Sequence, residues 1–276
     1  MNRRVHLSAM TNPLAKMSDL LFDMRQVFIC VILAWGATAS ASDYEREARF
    51  AELVKSQLVM GDAVTLAPPA GAPASFRPFL GLYAAGKPEL PAIVLAHGVG
   101  NHPDEGLTGS LRQRLNDLGY TTLAVQLPIG GKEATVDNYY PALFPEASAR
   151  LQAANSWLRT RGHPRIALVS HTMGSWMANV YLDAQAQSKA YQAWVCISLT
   201  GGYSFAVRDY PLPVLDLYGE QDIPATVSSA WRRAGVLRLA AAGSRQVMIA
   251  GADAQWRGKE QAAAGAIAGF LRVQLP

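Results

Sequence analysis

Apolar residues recur along the second half of the chain in two alternating patterns. Short, nearly continuous apolar runs alternate with stretches in which leucine or alanine returns every three or four positions. The first pattern predicts buried β-strands, and the second predicts amphipathic helices that pack on them. The predicted strands are 79–83, 92–96, 121–127, 165–169, 193–199, 214–218 and 246–250, and the predicted helices are 107–118, 147–158, one ending near 186, 225–234 and 258–272. This order predicts an α/β fold with a mainly parallel, doubly wound sheet and helices on both faces.

The chain before the first predicted strand divides into three parts. Residues 42–60 predict a helix, in which Ser42 and Glu45 have the spacing of a capping box. Residues 67–75 are rich in proline, alanine and glycine and predict a loop. We therefore expect a leader over 1–41, an N-terminal helix and linker over 42–75, and one α/β domain over 76–276. Only about a dozen residues, Thr200 to Leu212, occupy the usual lid position, so no cap domain is expected.

The leader has the pattern of a secretory signal. Val27 to Trp35 is an apolar run that follows Arg25, and it is shorter than the about 20 residues needed to span a membrane. Ala39-Ser40-Ala41 then gives the small-x-small pattern of a cleavage site. Residues 1–23 form an unusually long region ahead of this signal, and Met24 would start a more ordinary one. We expect a protein exported to the periplasm of a Gram-negative bacterium, with no stable membrane insertion after cleavage.

Composition narrows the class of protein further. The 276 residues are 50% apolar and 17% charged, which is typical of globular chains. The formal net charge of +4 falls to +2 when the four basic and two acidic residues of 1–41 are removed. The basic residues are not interleaved with aromatic ones, so we expect no nucleic-acid partner. Only Cys196 remains after cleavage, so the exported chain is expected to be stable without an internal disulfide.

Three of the predicted strand ends carry candidate chemistry. Ligand sites in sheets of this kind lie at the carboxyl ends of the strands. Ser170-His171-Thr172-Met173-Gly174 joins a strand to a helix, and small residues flank its centre by two positions. His97-Gly98-Val99-Gly100 follows an earlier strand, and Asp222 follows the strand that begins at Val214. The Gly98-Val99-Gly100 segment fails as a dinucleotide motif because Pro103 stands where the third glycine belongs, and no P-loop pattern exists, so we expect no cofactor.

In this order the three segments resemble the site of α/β-hydrolases, over about residues 76–274. A closer similarity is to bacterial α/β-hydrolase-like proteins of unknown function, which share a His-Gly…His-Pro-Asp segment, a Gln-Leu-Pro strand end and a Leu-Asp-Leu-Tyr-Gly strand. Here these are His97 to Asp104, Gln126 to Pro128, and Leu215 to Gly219. The resemblance implies a nucleophile elbow centred on Thr172, with Gly98, Val99 and Met173 at an oxyanion hole and Asp222 as the catalytic acid.

Two departures from the family pattern concern catalysis. The elbow carries Thr172 where the family has serine, and a β-branched residue fits poorly in the positive-φ conformation usual there. The family order places a histidine after the acid, but no histidine follows Asp222. The remaining candidates for a general base are His97 and His102 on the facing loop, since the side chain of His171 is expected to diverge from its neighbour.

Each of these residues also has a structural interpretation. His97 would pack within its loop, and His102 would shape a turn with Pro103 and Asp104. Asp222 would cap the helix that begins near Pro224.

Three hypotheses follow. The first is an exported α/β-hydrolase-fold protein with a degenerate triad and a non-catalytic binding or scaffold role, whose ligand would be a small acyl-containing or hydrophobic molecule. The second is a weak or atypical ester or acyl hydrolase that uses Thr172, Asp222 and either His97 or His102. The third is a metal-dependent activity at His97, His102 and Asp104, although their spacing matches no common zinc motif. The sequence predicts no oligomeric state.

Overall fold

The predicted α/β architecture is confirmed. The computed structural model describes residues 42–131, 140–185, 188, 190–204 and 212–276. These residues contain an eight-stranded sheet of order β1-β2-β4-β3-β5-β6-β7-β8, in which β1 pairs antiparallel with β2, β2 pairs antiparallel with β4, and all other pairs are parallel. The strands are β1 (Asp62–Leu66), β2 (Phe79–Ala84), β3 (Ala92–Ala96), β4 (Thr122–Val125), β5 (Ile166–His171), β6 (Ala193–Ile197), β7 (Val214–Gln221) and β8 (Arg245–Asp253).

Helices cover both faces of this sheet. They are α1 (Tyr44–Gln57), α2 (Gly106–Asp117), α3 (Phe144–Arg159), α4 (Met173–Ala184), α5 (Pro224–Leu237) and α6 (Glu260–Gln274), and a 3₁₀ turn (Tyr140–Leu143) precedes α3. Successive residues of β5 show why the strand sequences are continuously apolar. Ile166 and Leu168 belong to the core cluster on the α3 and α4 side, whereas Ala167 and Val169 belong to the cluster on the α2 and α6 side. A strand buried on both faces has no polar alternation.

The sheet extends further towards the N-terminus than the sequence predicts. β1 lies in the segment expected to be a helix and linker, and it forms the edge strand of the sheet. Its pattern was missed because it is short and four of its five residues are not buried.

Sixteen residues separate β6 from β7, too few for a cap domain, as expected. The predicted signal over 1–41 lies outside the described residues. Within the described part of the chain, no helix has the length and apolarity needed to cross a membrane.

The start of α1 differs from the predicted capping box. Asp43 is the N-cap, and its carboxylate accepts a hydrogen bond from the amide of Arg46 at 3.0 Å. Ser42 instead donates its hydroxyl hydrogen to Glu47 and accepts one from the amide of Ile129 at 2.8 Å. The capping residue shifted by one position because Asp43 is itself a strong capping residue and Ser42 is engaged in tertiary contacts.

Candidate functional site

The turn between β5 and α4 has the geometry of a nucleophile elbow. Thr172 separates the two elements and has φ 47° and ψ −112°, a conformation that costs a β-branched residue free energy. The helix that follows crosses β3 so closely that a Cβ on Gly174 would lie 2.4 Å from the carbonyl oxygen of His97. The glycine of the motif is therefore required by backbone contact.

The hydroxyl of Thr172 faces the His-Gly loop. A Cβ built on Gly98 would lie 2.6 Å from Thr172 Oγ1 and 3.5 Å from His171 Nδ1, so the loop approaches the elbow directly. The amides of Val99 and Met173 border the same space, and neither donates a hydrogen bond within the described part of the chain. The predicted oxyanion-hole residues Gly98, Val99 and Met173 are thus brought together with Thr172. One free amide at a helix N-terminus and a second on the facing loop are suited to binding a negative or partially negative oxygen.

Asp222 lies at the predicted acid position, but its carboxylate is bound to a serine. Oδ2 accepts hydrogen bonds from Ser198 Oγ at 2.5 Å and from the amide of Gly219 at 3.3 Å, and Oδ1 accepts one from the amide of Ile223 at 2.8 Å. Trp256 Nε1 donates to Ser198 Oγ at 3.0 Å. The helix-capping interpretation is wrong, because Ile223 occupies the N-cap position of α5.

Ser198 and Trp256 are the site residues that sequence reasoning missed. Each has a positive φ, 55° and 61° respectively, and with Thr172 they are the only described non-glycine residues that do. No spacing motif marks Ser198, which simply follows β6. The signal for Trp256 was its place after β8, in the loop expected to present a histidine.

That loop presents no imidazole. After β8 ends at Asp253, Ala254 and Gln255 border the elbow, and the last histidine of the chain is His171.

His171 is the histidine on the acid's side of the elbow. Burial lowers its pKa to about 4, although the negative charge of Asp222 and the Ala254 carbonyl act in the opposite direction. Its Nε2 is buried and has no hydrogen-bond partner among the described residues. His171 is therefore a neutral imidazole near neutral pH.

Both ring nitrogens of His97 are engaged within its own loop region. Nδ1 lies 2.8 Å from the Gly98 carbonyl, and Nε2 lies 2.9 Å from the Leu127 amide nitrogen. Since a carbonyl only accepts and an amide only donates, Nδ1 carries the proton and Nε2 accepts. Burial lowers the pKa of His97 to about 3, so it is neutral as well. No lone pair of His97 is left to accept a proton from Thr172.

His102 and Asp104 face away from the elbow. The ring of His102 packs against Phe50 of α1 with centroids 5.0 Å apart, and its Nδ1 accepts a hydrogen bond from the Asp104 amide at 3.3 Å. The Asp104 carboxylate pairs with Arg112 Nε at 2.6 Å. The structure does not assemble His97, His102 and Asp104 as metal ligands, and the described residues contain no group of three side chains able to hold a metal ion.

A cavity of about 420 Å³ opens at the elbow. Most of its wall is apolar, and its polar lining residues are Asn101, His171, Thr172, Ser198, Thr200 and Gln255. Its apolar lining includes Leu107, Trp176 and Ile223. Trp176 is fixed by a hydrogen bond from its Nε1 to Thr200 Oγ1 at 2.8 Å. A pocket with apolar walls and a few polar groups is typical of small-molecule sites.

Comparison with known proteins identifies the fold. No protein-family model matches the chain, and no curated protein shows significant similarity to it. Among solved structures, it is similar to the dienelactone hydrolase from Anabaena variabilis, with a TM-score of 0.60 and 18% identity over 78% of this chain and 98% of that one. It is also similar to Est1E from Butyrivibrio proteoclasticus, with a TM-score of 0.59 and 14% identity over 77% and 98% of the two chains.

A third similar structure is an α/β serine hydrolase without a lid from Xanthomonas campestris. Its TM-score is 0.57 and its identity 17%, over 79% of this chain and 96% of that one. The chain has the α/β-hydrolase fold, as the sequence resemblance predicted.

Proposed function

We propose that this is an exported α/β-hydrolase-fold protein with a degenerate triad, which binds a small ligand at the elbow and does not hydrolyse it. The observation that carries the proposal is the hydrogen bonding of Asp222. Its carboxylate is held by Ser198, and Ala254 lies where the loop after β8 would present an imidazole. The acid therefore lacks the base that it would orient in a working triad.

The chemistry of the hydroxyl supports a non-catalytic role. A threonine hydroxyl is almost entirely protonated at neutral pH and needs a general base to attack an acyl carbon. Within the described part of the chain, no histidine nitrogen makes a hydrogen bond with Thr172 Oγ1, and both nitrogens of His97 have other partners. Loss of general-base catalysis alone typically costs about 10²- to 10⁴-fold in rate.

The cavity supports binding of a small molecule with an apolar body and one oxygen-bearing group. The amides of Val99 and Met173 would donate to a carbonyl or carboxylate oxygen, as they would to an oxyanion. The apolar wall around Trp176 and Ile223 would cover the remainder of the ligand. We therefore infer that the ligand is a short carboxylic acid, or an ester or amide of one.

Turnover and labelling test the non-hydrolytic part of the proposal. The exported protein is incubated with p-nitrophenyl acetate and butyrate and with a fluorophosphonate probe, beside Thr172→Ala and the matched surface variant Thr160→Ala. We expect no labelling and equal background hydrolysis in all three proteins. Turnover or labelling that is present in the wild type and in Thr160→Ala but lost in Thr172→Ala would overturn this part.

Direct binding measurements test whether the elbow cavity binds a small ligand. Hexanoate and benzoate are titrated calorimetrically into wild-type protein and into Trp176→Ala, with Trp231→Ala as the control because the Trp231 side chain is 69% exposed and lies outside the cavity lining. We expect binding that weakens at least tenfold in Trp176→Ala and is unchanged in Trp231→Ala. If neither acid binds, or if both variants behave alike, the elbow cavity is not the ligand site.

A weak acyl hydrolase is the second candidate, and the retained elbow favours it. Thr172 keeps the strained backbone of an elbow, and the amides of Val99 and Met173 beside it donate no hydrogen bond within the described part of the chain. The base would be His171, whose Nε2 has no partner among the described residues. Turnover abolished by both Thr172→Ala and His171→Gln, and retained in His163→Gln, would select this candidate.

A further inference from the structure

The first described residue, Ser42, lies against two buried carboxylates. Its backbone nitrogen donates a hydrogen bond to Glu146 Oε2 at 3.4 Å, and its hydroxyl donates to Glu47 Oε1. Glu146 is 2% exposed and Glu47 is 8% exposed. A carboxylate that is removed from water to this extent needs a cationic partner or several hydrogen bonds.

One guanidinium serves both carboxylates. Arg150 donates from Nη1 to Glu47 Oε2 at 3.0 Å and from Nη2 to Glu146 Oε1 at 2.5 Å. These are the only ion pairs that the two glutamates form within the described part of the chain. Two buried negative charges are thus matched by a single positive one. Burial raises the pKa of Glu47, which is the direction expected when neutralisation is incomplete.

The other charged and titratable groups near this cluster do not supply the second cation. Arg46 donates to the carbonyls of Gly100 and Gly130, and Arg77 stacks on the ring of Tyr44. The Tyr44 hydroxyl donates to Glu146 at 2.9 Å as a neutral group, because burial and the Glu146 charge raise its pKa to about 12.

We propose that Ser42 is the N-terminal residue of the mature protein and that its α-ammonium group is the second cation of this cluster. A leader peptidase of the export pathway would hydrolyse the Ala41–Ser42 bond. Water adds to that peptide bond, Ala41 keeps the new carboxylate, and the Ser42 amine takes up a proton. The nitrogen that now donates to Glu146 as an amide would then carry a positive charge. The inference does not depend on what the elbow cavity binds.

Two independent observations support Ser42 as the mature N-terminus. The small-x-small pattern of Ala39-Ser40-Ala41 places the cleavage directly before Ser42. The fold places the Ser42 nitrogen within hydrogen-bond distance of a buried carboxylate. Since leader cleavage accompanies export and precedes folding, the burial of Ser42 in the folded protein is no obstacle to the peptidase.

The new terminus would anchor α1 beside the site. The Asp43 amide and the Ser42 hydroxyl bind the backbone of Ile129, after β4, and Arg46 binds the Gly100 carbonyl at 3.0 Å. Gly100 follows Val99, whose amide borders the cavity. Processing would thus complete the contacts that hold α1 against the loop forming the rim of the cavity.

The processing site is tested on the full chain. The 276-residue protein is expressed in a Gram-negative host, and the exported form is analysed by intact mass and N-terminal sequencing. We expect residues 42–276, whichever of Met1 or Met24 starts translation. An exported protein that begins at any other residue would overturn the proposal.

The role of the ammonium group is tested by moving it one residue. The chain beginning at Ser42 is compared with one beginning at Ala41, which has the same net charge but an amide at Ser42. We expect the longer chain to melt about 2–8 °C lower, because the loss of one buried ionic interaction lowers the free energy of unfolding and so shifts the melting temperature of a domain of this size by a few degrees. Equal melting temperatures would contradict the proposal.

Glu146→Gln in both chains identifies the partner, and Glu52→Gln is the control because the Glu52 side chain is 78% exposed. The difference between the two chains should vanish with Glu146→Gln and persist with Glu52→Gln. If Glu146→Gln does not fold, ¹⁵N NMR of the Ser42 α-amine in the wild-type chain replaces it. Its pKa should lie above the about 7.7–8.0 of an ordinary α-amino group, and a value within or below that range would contradict the ion pair.

Discussion

Ser198 donates a hydrogen bond from Oγ to Asp222 Oδ2 at 2.5 Å. Ser198 donates because a carboxylate oxygen accepts, and the Trp256 indole N–H, which can only donate, lies 3.0 Å from the same Ser198 oxygen. Ser198 therefore accepts from the tryptophan and gives its own hydrogen to the carboxylate. The strained φ values of Ser198 and Trp256 suggest that the surrounding fold maintains this chain of hydrogen bonds against a local cost.

Ser198→Ala should destabilise the protein by about 2–3 kcal/mol. The substitution leaves the buried Trp256 indole N–H without its acceptor and removes one donor from the Asp222 carboxylate, and an unsatisfied buried polar group costs about 1–3 kcal/mol. Urea unfolding followed by tryptophan fluorescence measures the change.

The matched control is Ser228→Ala, since Ser228 is exposed and its hydroxyl bonds only within its own helix, α5. This variant should unfold within about 0.5 kcal/mol of the wild type. The double variant Ser198→Ala with Trp256→Phe should lose less than the sum of the single losses. Strict additivity would mean that the two residues are not coupled.

Thr172→Gly should stabilise the protein by about 1 kcal/mol, which corresponds to a melting temperature roughly 2–4 °C higher. At φ 47° and ψ −112° a β-branched residue carries about 1–3 kcal/mol of strain, whereas glycine adopts this region freely. The entropic cost of glycine, about 0.5–1 kcal/mol, offsets part of this gain.

Thr172→Ala removes the hydroxyl and its contacts but retains a Cβ, and with it most of the free-energy cost of the backbone conformation. Comparing it with Thr172→Gly therefore separates the backbone strain from the contribution of the hydroxyl. Thr172→Ala should melt below Thr172→Gly in differential scanning calorimetry. Thr160→Gly, at a residue with φ −64°, should be destabilising. A destabilised Thr172→Gly would show that the threonine side chain contributes more by packing than its backbone costs.

The two buried neutral histidines should make the protein sensitive to acid. The folded pKa values of His97 and His171, about 3 and about 4, lie below the ordinary value of 6.5. As pH falls below about 6.5, the unfolded state binds protons that the folded state does not accept. The stability contributed by each neutral imidazole is therefore complete above that pH and is lost towards the folded pKa, by up to about 1.4 kcal/mol per pH unit for each residue.

Thermal unfolding between pH 7.5 and pH 4.5 measures this loss. His171→Gln should reduce its slope more than His163→Gln, because burial lowers the pKa of both histidines but His163 is only partly buried. In ¹H–¹⁵N NMR spectra at pH 6, both buried rings should be neutral, with the proton of His97 on Nδ1. A cationic His97 at that pH would contradict the hydrogen bonding described above.

The sequence predicts the parts of this fold that are buried on both faces. The strand Ala92–Ala96 was predicted with its observed bounds because every one of its residues is buried and apolar, and a turn follows it at once. β1 was not predicted, since an exposed edge strand of five residues leaves little hydrophobic pattern.

The candidate site could be predicted only where it has a motif. Thr172, Gly98 and Met173 lie at turns whose spacing reflects tight backbone packing, and the structure brings them together. The partner of Asp222 could not be predicted, because Ser198 lies 24 residues earlier in the chain and reaches the acid only through the β6–β7 pairing. Likewise, the engagement of His97 depends on the Leu127 amide, which adjacent strands bring close.

The two glycines of the site should respond differently to alanine. A Cβ on Gly174 would lie 2.4 Å and 2.7 Å from the carbonyl oxygens of His97 and Ala96, so backbone must move. For a Cβ on Gly98 the one atom that is too close would be Thr172 Oγ1 at 2.6 Å, which can rotate away, while His171 Nδ1 at 3.5 Å is at an ordinary contact distance. We expect Gly174→Ala to cost at least about 2 kcal/mol and Gly98→Ala less than about 1 kcal/mol.

Ligand binding should be weakened by Gly98→Ala even though this variant loses less stability than Gly174→Ala. Gly98→Ala places a methyl group between the Thr172 hydroxyl and the loop that carries the Val99 amide, so it should weaken hexanoate binding about tenfold in a protein that still folds. Calorimetric titration and urea unfolding of the same preparations measure the two effects together. Gly265→Ala is the control, because a Cβ there has open space in α6 and should raise stability by about 0.5–1 kcal/mol without affecting binding. Undiminished binding in Gly98→Ala would mean that the ligand does not enter the space between the elbow and the His-Gly loop.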